Sequence, residues 1–193
     1  MAGPVEQADA NFDVSIVSIG QQALYGDFVA RPLARSHFVM CAAKSYLQRR
    51  GRPSDPNELP QHEGLLPAVA ALRHELRLHR HASAQTDNTG DTMRVLSLPA
   101  QSAALASGHI DMLLAAAIAG LGIAGLPSFA CAAALRDGRL ERVLPDWHGG
   151  ALSLYAAMPT RRQVPARTRV FIDFLVAQFG GCDADPWLDG EPA

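Results

Sequence analysis

Three groups of residues in this sequence have types and spacings that could do chemistry. The first is GLGIAG, residues 120–125, which spells the G-x-G-x-x-G of a dinucleotide-binding loop. In such a loop a strand comes before the glycines, and the helix after them aims its N-terminal amides at a pyrophosphate. Here the order is reversed. DMLLAAAIA before Gly120 is helical by composition, and IAGLP after Gly122 is too short before Pro127 to be a helix. The stretch reads as helix, glycine turn and buried strand, and no cofactor is expected. The second group is His74, His79 and His81 in RHELRLHRH. His79 and His81 share a strand face, but alternation turns His74 the other way. With no cysteine and no H-E-x-x-H helix in support, no metal site is expected. The third is Gly108-His109-Ile110-Asp111, the start of a helix whose first amides are free to meet an anion. Asp111 either caps its own helix or faces a ligand, and the sequence leaves both open.

Hydrolytic chemistry finds little support. Asp146, His148 and Ser153 have the residue types of a triad but stand too close along the chain for its geometry. The patterns G-x-S-x-G and G-x-x-x-x-G-K-[ST] do not occur. The 193 residues carry 17 basic and 19 acidic side chains, a formal charge of −2, so no overall field draws the chain to nucleic acid or to an acidic membrane. Lys44 is the only lysine. Three cysteines (Cys41, Cys131, Cys182) fit neither a disulfide framework nor a zinc knuckle, and MAGPVEQADANFD lacks the basic and apolar regions of a secretory signal. A reducing, cytoplasmic setting is expected. Met112–Leu135 holds no charge over a length that could span a bilayer, but Pro127, Ser128 and three glycines interrupt it, and helices packed on a buried strand explain it without lipid.

The elements that must position these residues follow from periodicity and punctuation. FDVSIV (12–17), DFVARPL (27–33) and SHFVMCAA (36–43) read as strands, with the turn-like GQQALYG between the first two. Ser45 is expected to cap a short helix that Gly51 stops, and Asp55 to cap a turn opened by Pro56. RHELRLHRH reads as a half-exposed strand, TDNTGD (86–91) as a turn, and MRVLSLP and SAALAS as further strands. A helix over about 111–119 follows. Ser128 is expected to cap another helix that ends at Asp137-Gly138. RLERVLP and LSLYAAMP are strands, and Pro165 opens a last helix that Gly180 closes. In that helix Phe171, Phe174, Leu175 and Phe179 predict the docking stripe. The acidic tail, 181–193, is expected to be disordered.

Six phrases in order, FDVSI, ARPLA with FVMCAAKSYLQRRGRP, NELPQHEGLL, AAAIAGLGIAGLP, LRDGRLERVLPDW and LYAAMPTRRQVPARTRVFIDFLV, resemble the effector-binding domain of LysR-type transcriptional regulators over about residues 5–179. The resemblance implies an α/β fold of two lobes like those of periplasmic solute-binding proteins, with a small effector, often an organic anion, held in the cleft. It implies a first lobe from 1–38 and 151–180 and a second from 39–150. It also implies effector contacts at Ser18, at Leu66-Pro67-Ala68, at Gly108, His109 and Asp111, and at Ser128. Such a domain is no enzyme and reaches DNA only through a separate winged helix-turn-helix. His62 matches a family phrase and reads as structural.

Three departures accompany the resemblance. Val17 stands where the family commonly has arginine, and Lys44 where it often has proline; Lys44 reads as a solvated surface residue. The DNA-binding part and the opening elements of the first lobe have no counterpart before residue 5, so the first lobe is expected to be incomplete. Uncovering a few hundred Å² of apolar surface at roughly 25 cal/mol per Å² forfeits several kcal/mol. FDVSIV and the Phe171 stripe are then expected to be partly exposed, and the chain to be marginally stable or to self-associate. Two other readings stay open: a small cytoplasmic α/β enzyme using His109 or Asp111, and a gene fragment without function.

Overall fold

A computed structural model of the chain describes residues 12–20, 28–68, 75–80, 95–99, 102–159, 165–181 and 185–188. The turns read at GQQALYG and TDNTGD, and His74 and His81, lie outside them. The chain divides into two compact units, residues 1–36 with 151–193, and residues 37–150.

Strand β1 (Ser15–Ile19) begins later than FDVSIV suggested, and β2 (Phe28–Ala42) merges the two strands read at 27–33 and 36–43. Among the described residues the first half of β2 has only β10 (Ala151–Pro159) as a ladder neighbour, and a strand paired on one side tolerates Pro32 without an N–H. The second half of β2 enters the larger unit and leads into α1 (Lys44–Arg50), which buries Tyr46 and Leu47 and is closed by Gly51 at φ 89°. The residue before α1 is Ala43, with no side-chain cap, so Ser45 does not cap this helix. Asp55 does cap the 3-10 turn Pro56–Gln61, accepting from the Asn57 amide.

The rest of the larger unit is β3 (Glu63–Pro67), β4 (Glu75–Arg80), β5 (Val95–Pro99), β6 (Ser102–Ser107), α2 (Ile110–Ile118), β7 (Ile123–Pro127), α3 (Ser128–Arg136), β8 (Glu141–Arg142) and β9 (Trp147–His148). RLERVLP therefore supplies only a two-residue strand. In the main sheet β7 lies between β2, antiparallel, and β3, parallel, and β6 pairs parallel outside β3. A strand with neighbours on both sides and covered faces is apolar throughout, and Ile123, Ala124 and Leu126 are all buried. The smaller sheet runs β5-β4-β9. Leu78 and Leu98 from it join Tyr46, Leu47, Leu59, Ile123 and Val143 in one core.

GLGIAG is the helix, turn and strand expected. Gly120 takes φ +76° as α2 ends, and a Cβ on Gly122 would stand 2.4 Å from the Glu63 carbonyl oxygen. The first glycine turns the chain and the next lets β7 lie against β3.

In the other unit β1, β10 and β2 are neighbours in that order, and α4 (Ala166–Phe179) covers them, closed by Gly180 at φ 83°. The core is Leu33, Ala156, Met158 and Ile172, with Leu175, Val176 and Phe179 packed against it. The docking stripe is thus rotated from the expected one. Phe171 and Phe174 are 47% and 56% exposed, because Thr168 and Ile172 take the inward face. In β1 alternation buries Val17 and Ile19 and exposes Ile16. The tail, expected to be disordered, has described structure at residues 185–188. Asp185–Leu188 forms a turn in which the Leu188 amide donates to the Asp185 carbonyl (3.0 Å), and the Trp187 ring lies 5.8 Å from that of Phe179. An indole offers enough apolar surface to hold so short a segment down. Among the described residues no helix is long and apolar enough to cross a membrane.

Candidate functional site

The register of the parallel strands brings most of the expected effector residues to one edge of the larger unit. Pro67 at the end of β3 pairs with Ser107 at the end of β6, and Leu65 pairs with Ala124, so β7 ends at that edge too. In open α/β sheets this carboxyl edge is where ligands bind, because strands stop and helix N-termini begin there. α2 and α3 both start at it.

Ser107 ties the edge together, and the sequence reading passed over it. It is buried; its carbonyl accepts from the Ala68 amide (2.9 Å) and its Oγ from the His109 amide (3.1 Å). The only hint in the sequence is a serine ending an apolar strand just before a glycine. Beyond it Gly108, His109 and Asp111 are all exposed, as is Ala68, while Leu66 and Pro67 are half-buried residues of β3. His109 precedes α2 and gives it no side-chain cap, and the first backbone bond into the helix is from Leu113 N–H to the His109 carbonyl (3.3 Å). Amides of the first turn are therefore left to solvent or ligand. Asp111 lies in that turn, where a carboxylate favours the positive end of the helix.

Ser128 differs from its expected role. It is the first residue of α3, follows Pro127 and is fully buried, and α3 has no side-chain cap. Ser18 lies in the smaller unit, within β1, exposed and opposite Leu154.

At the other end of β3 a polar cluster fixes the strand to α1. The Tyr46 hydroxyl donates to Glu63 Oε2 (2.6 Å) and accepts from the Glu63 amide (3.0 Å). Its one proton is thereby committed, so His62 Nδ1, 3.1 Å away, carries a proton and donates to it. Arg50 lies 3.0 Å from Glu63 Oε1. Burial, followed by the nearby Arg50 guanidinium, holds the His62 imidazole below its ordinary pKa. Burial, followed by the bond to Glu63, raises the Tyr46 phenol, and the Tyr46 bond lowers the Glu63 carboxyl. His62 is a buried member of this cluster, in keeping with its structural reading.

The other groups weighed for chemistry have ordinary partners. His79 pairs with His148 across β4 and β9, their rings stacked at 5.4 Å, and His37 meets His148 edge-on at 4.8 Å. Among the described residues no cluster of His, Cys, Asp or Glu could hold a metal ion. Asp146 pairs with Arg80 (3.7 Å), His148 Nδ1 accepts from the Gly150 amide (3.2 Å), and Ser153 sits in the β10 ladder opposite Ile19. Lys44 is an exposed partner of Glu141 (3.7 Å).

Residues 2–180 match the family model described as the LysR substrate binding domain. The HTH-type transcriptional regulator YhjC of Escherichia coli K12 is 32% identical over 147 residues, 76% of this chain and 46% of that protein. The probable HTH-type transcriptional regulator LtrA of Klebsiella pneumoniae is 28% identical over 179 residues, 89% of this chain and 52% of that one. The chain thus spans about half the length of the curated relatives it matches. Among solved structures, the regulatory domain of AphB in Vibrio vulnificus superposes with a TM-score of 0.69 at 20% identity, covering 91% of this chain and 79% of that one. The CrgA regulatory domain of Neisseria meningitidis gives 0.60 at 25%, covering 88% and 76%. This family binds small-molecule effectors and is not enzymatic, which removes the enzyme reading of His109 and Asp111. With the α/β fold, the parallel strand edge and the match over residues 2–180 in agreement, the chain belongs to the LysR substrate-binding-domain family.

Proposed function

We propose that this chain is the sensing part of a cytoplasmic transcription regulator and that the carboxyl edge of its larger unit holds a small organic anion. The observation that carries the reading is the shared edge at Pro67 and Ser107, where α2 starts without a side-chain cap. The uncapped first-turn amides of α2, just past Gly108 and His109, would take the carboxylate, Leu66-Pro67-Ala68 would line the body of the ligand, and Ser128 would shape the floor from the start of α3. Asp111 carries the same sign as such a ligand. It fits an effector that also bears a hydroxyl or amine donor. Ser18 enters through the family resemblance alone and is tested by its own substitution to Ala.

DNA would be reached through a separate DNA-binding domain, with effector binding shifting the arrangement of the attached domains. The exposed apolar residues of the smaller unit support self-association. The direct test is Gly108→Phe. A Cβ at Gly108 meets nothing within 4 Å, so the variant should melt like the parent while losing about tenfold or more in effector affinity by calorimetric titration. Equal affinity in parent and variant would remove the site from this edge.

A further inference from the structure

We propose that the smaller unit carries a second small-molecule site, for a monocarboxylate with a compact apolar body, independent of the edge described above. A cavity of about 310 Å³ opens in this unit, lined by Val29, Arg31, Met158, Arg169, Ile172 and Asp173. Small-ligand pockets run from roughly 300 Å³ upward. Its shape follows from three periodicities. Val29, Arg31 and Leu33 project from one face of β2, Ala156 and Met158 from one face of β10, and Arg169, Ile172 and Asp173 from one face of α4. Toward Leu33 the helix closes on the sheet through Ile172, Leu175 and Val176. Toward Val29 and Arg31 the cavity remains.

Its chemistry is that of an apolar floor under a positive rim. Met158 and Ile172 are buried, whereas Arg31, Arg169 and Asp173 are exposed. Arg167, two residues before Arg169, is taken by Asp13 at 3.6 Å, but neither Arg31, Arg169 nor Asp173 makes an ion pair among the described residues. Two guanidinium groups from different elements face one carboxylate, so the rim has a positive surplus. A guanidinium matches a carboxylate in charge and in hydrogen-bond geometry, and the floor matches an apolar body of a ring or a short chain.

The test is methyl NMR of the 193-residue chain titrated with 3-phenylpropionate and, separately, with its neutral amide. The acid should move the Met158 and Ile172 methyl resonances saturably, and the amide should bind about tenfold more weakly or worse. The double variant Arg31→Gln with Arg169→Gln should lose affinity by a similar factor, whereas Gly108→Phe should leave it unchanged, which separates this site from the strand edge. The proposal is overturned if those methyl resonances stay still, if acid and amide bind alike, or if the arginine variant binds as tightly as the parent. Because the acid and amide comparison uses the unmodified chain, it decides the matter even where a variant folds poorly.

Discussion

Gly122 and Gly125 look equivalent in GLGIAG but meet different neighbours. A Cβ at Gly122 would press on backbone, 2.4 Å from the Glu63 carbonyl oxygen, whereas one at Gly125 would meet the end of the flexible Met40 side chain at 2.9 Å. Overpacking against atoms that cannot yield costs about 1–3 kcal/mol. Gly122→Ala should lower the unfolding free energy from urea titration by that much, and Gly125→Ala by clearly less. His62 gives a second test. Its imidazole is kept neutral by burial and by Arg50, while in the unfolded chain a histidine protonates near pH 6.5. Below that pH the unfolded state binds the extra proton first, so stability is present above it and is lost as pH falls through the lower folded value. Denaturation at about pH 7.5 and pH 5.5 should show a larger loss in the parent than in His62→Gln. The sequence made the glycine turn legible, because composition before and after it fixed the order of elements. It could not reveal that Ser107 bonds both Ala68 and His109, since that depends on which strands lie side by side.

Elements were legible where punctuation was strong and obscure where tertiary pairing decided. Gly51 and Gly180 ended their helices as read, at φ 89° and 83°. The strands read at 27–33 and 36–43 are one element, and Pro32 sits in the half of it that has β10 as its ladder partner among the described residues. Ser45 and Ser128 misled as caps, since each lies inside its helix rather than before it. In α4 the four apolar positions Phe171, Phe174, Leu175 and Phe179 looked like one stripe, yet Ile172, Leu175, Val176 and Phe179 do the packing. Phe171 and Phe174 are left facing out with Val170, which is 70% exposed. They add little to folding, and the proposed self-association would use them. Replacing both phenylalanines with serine should lower the weight-average mass in sedimentation across a concentration series. It should change stability by no more than about 0.5 kcal/mol, as at other exposed positions. An unchanged mass would place the contact elsewhere.

At the scale of the molecule, the resemblance carried in six phrases was the informative signal, and it led to the fold and to the family. Composition and charge alone had reached only an ordinary α/β chain without a nucleic-acid field. The candidate site was partly legible: Leu66, Pro67, Ala68, Gly108, His109 and Asp111 converge because β3 and β6 are parallel and in register. That pairing is long-range, and local pattern does not encode it. A sensing domain is stabilised by the ligand it binds. The most direct measurement is a thermal unfolding curve at several protein concentrations, with and without a panel of small aliphatic and aromatic carboxylates. The expected result is a cooperative transition that a subset of the acids moves to higher temperature, equivalent to about 2.7 kcal/mol of stabilisation at a hundredfold excess over the dissociation constant, with the effector's shift lost in Gly108→Phe. A transition that no acid shifts at any concentration would contradict it.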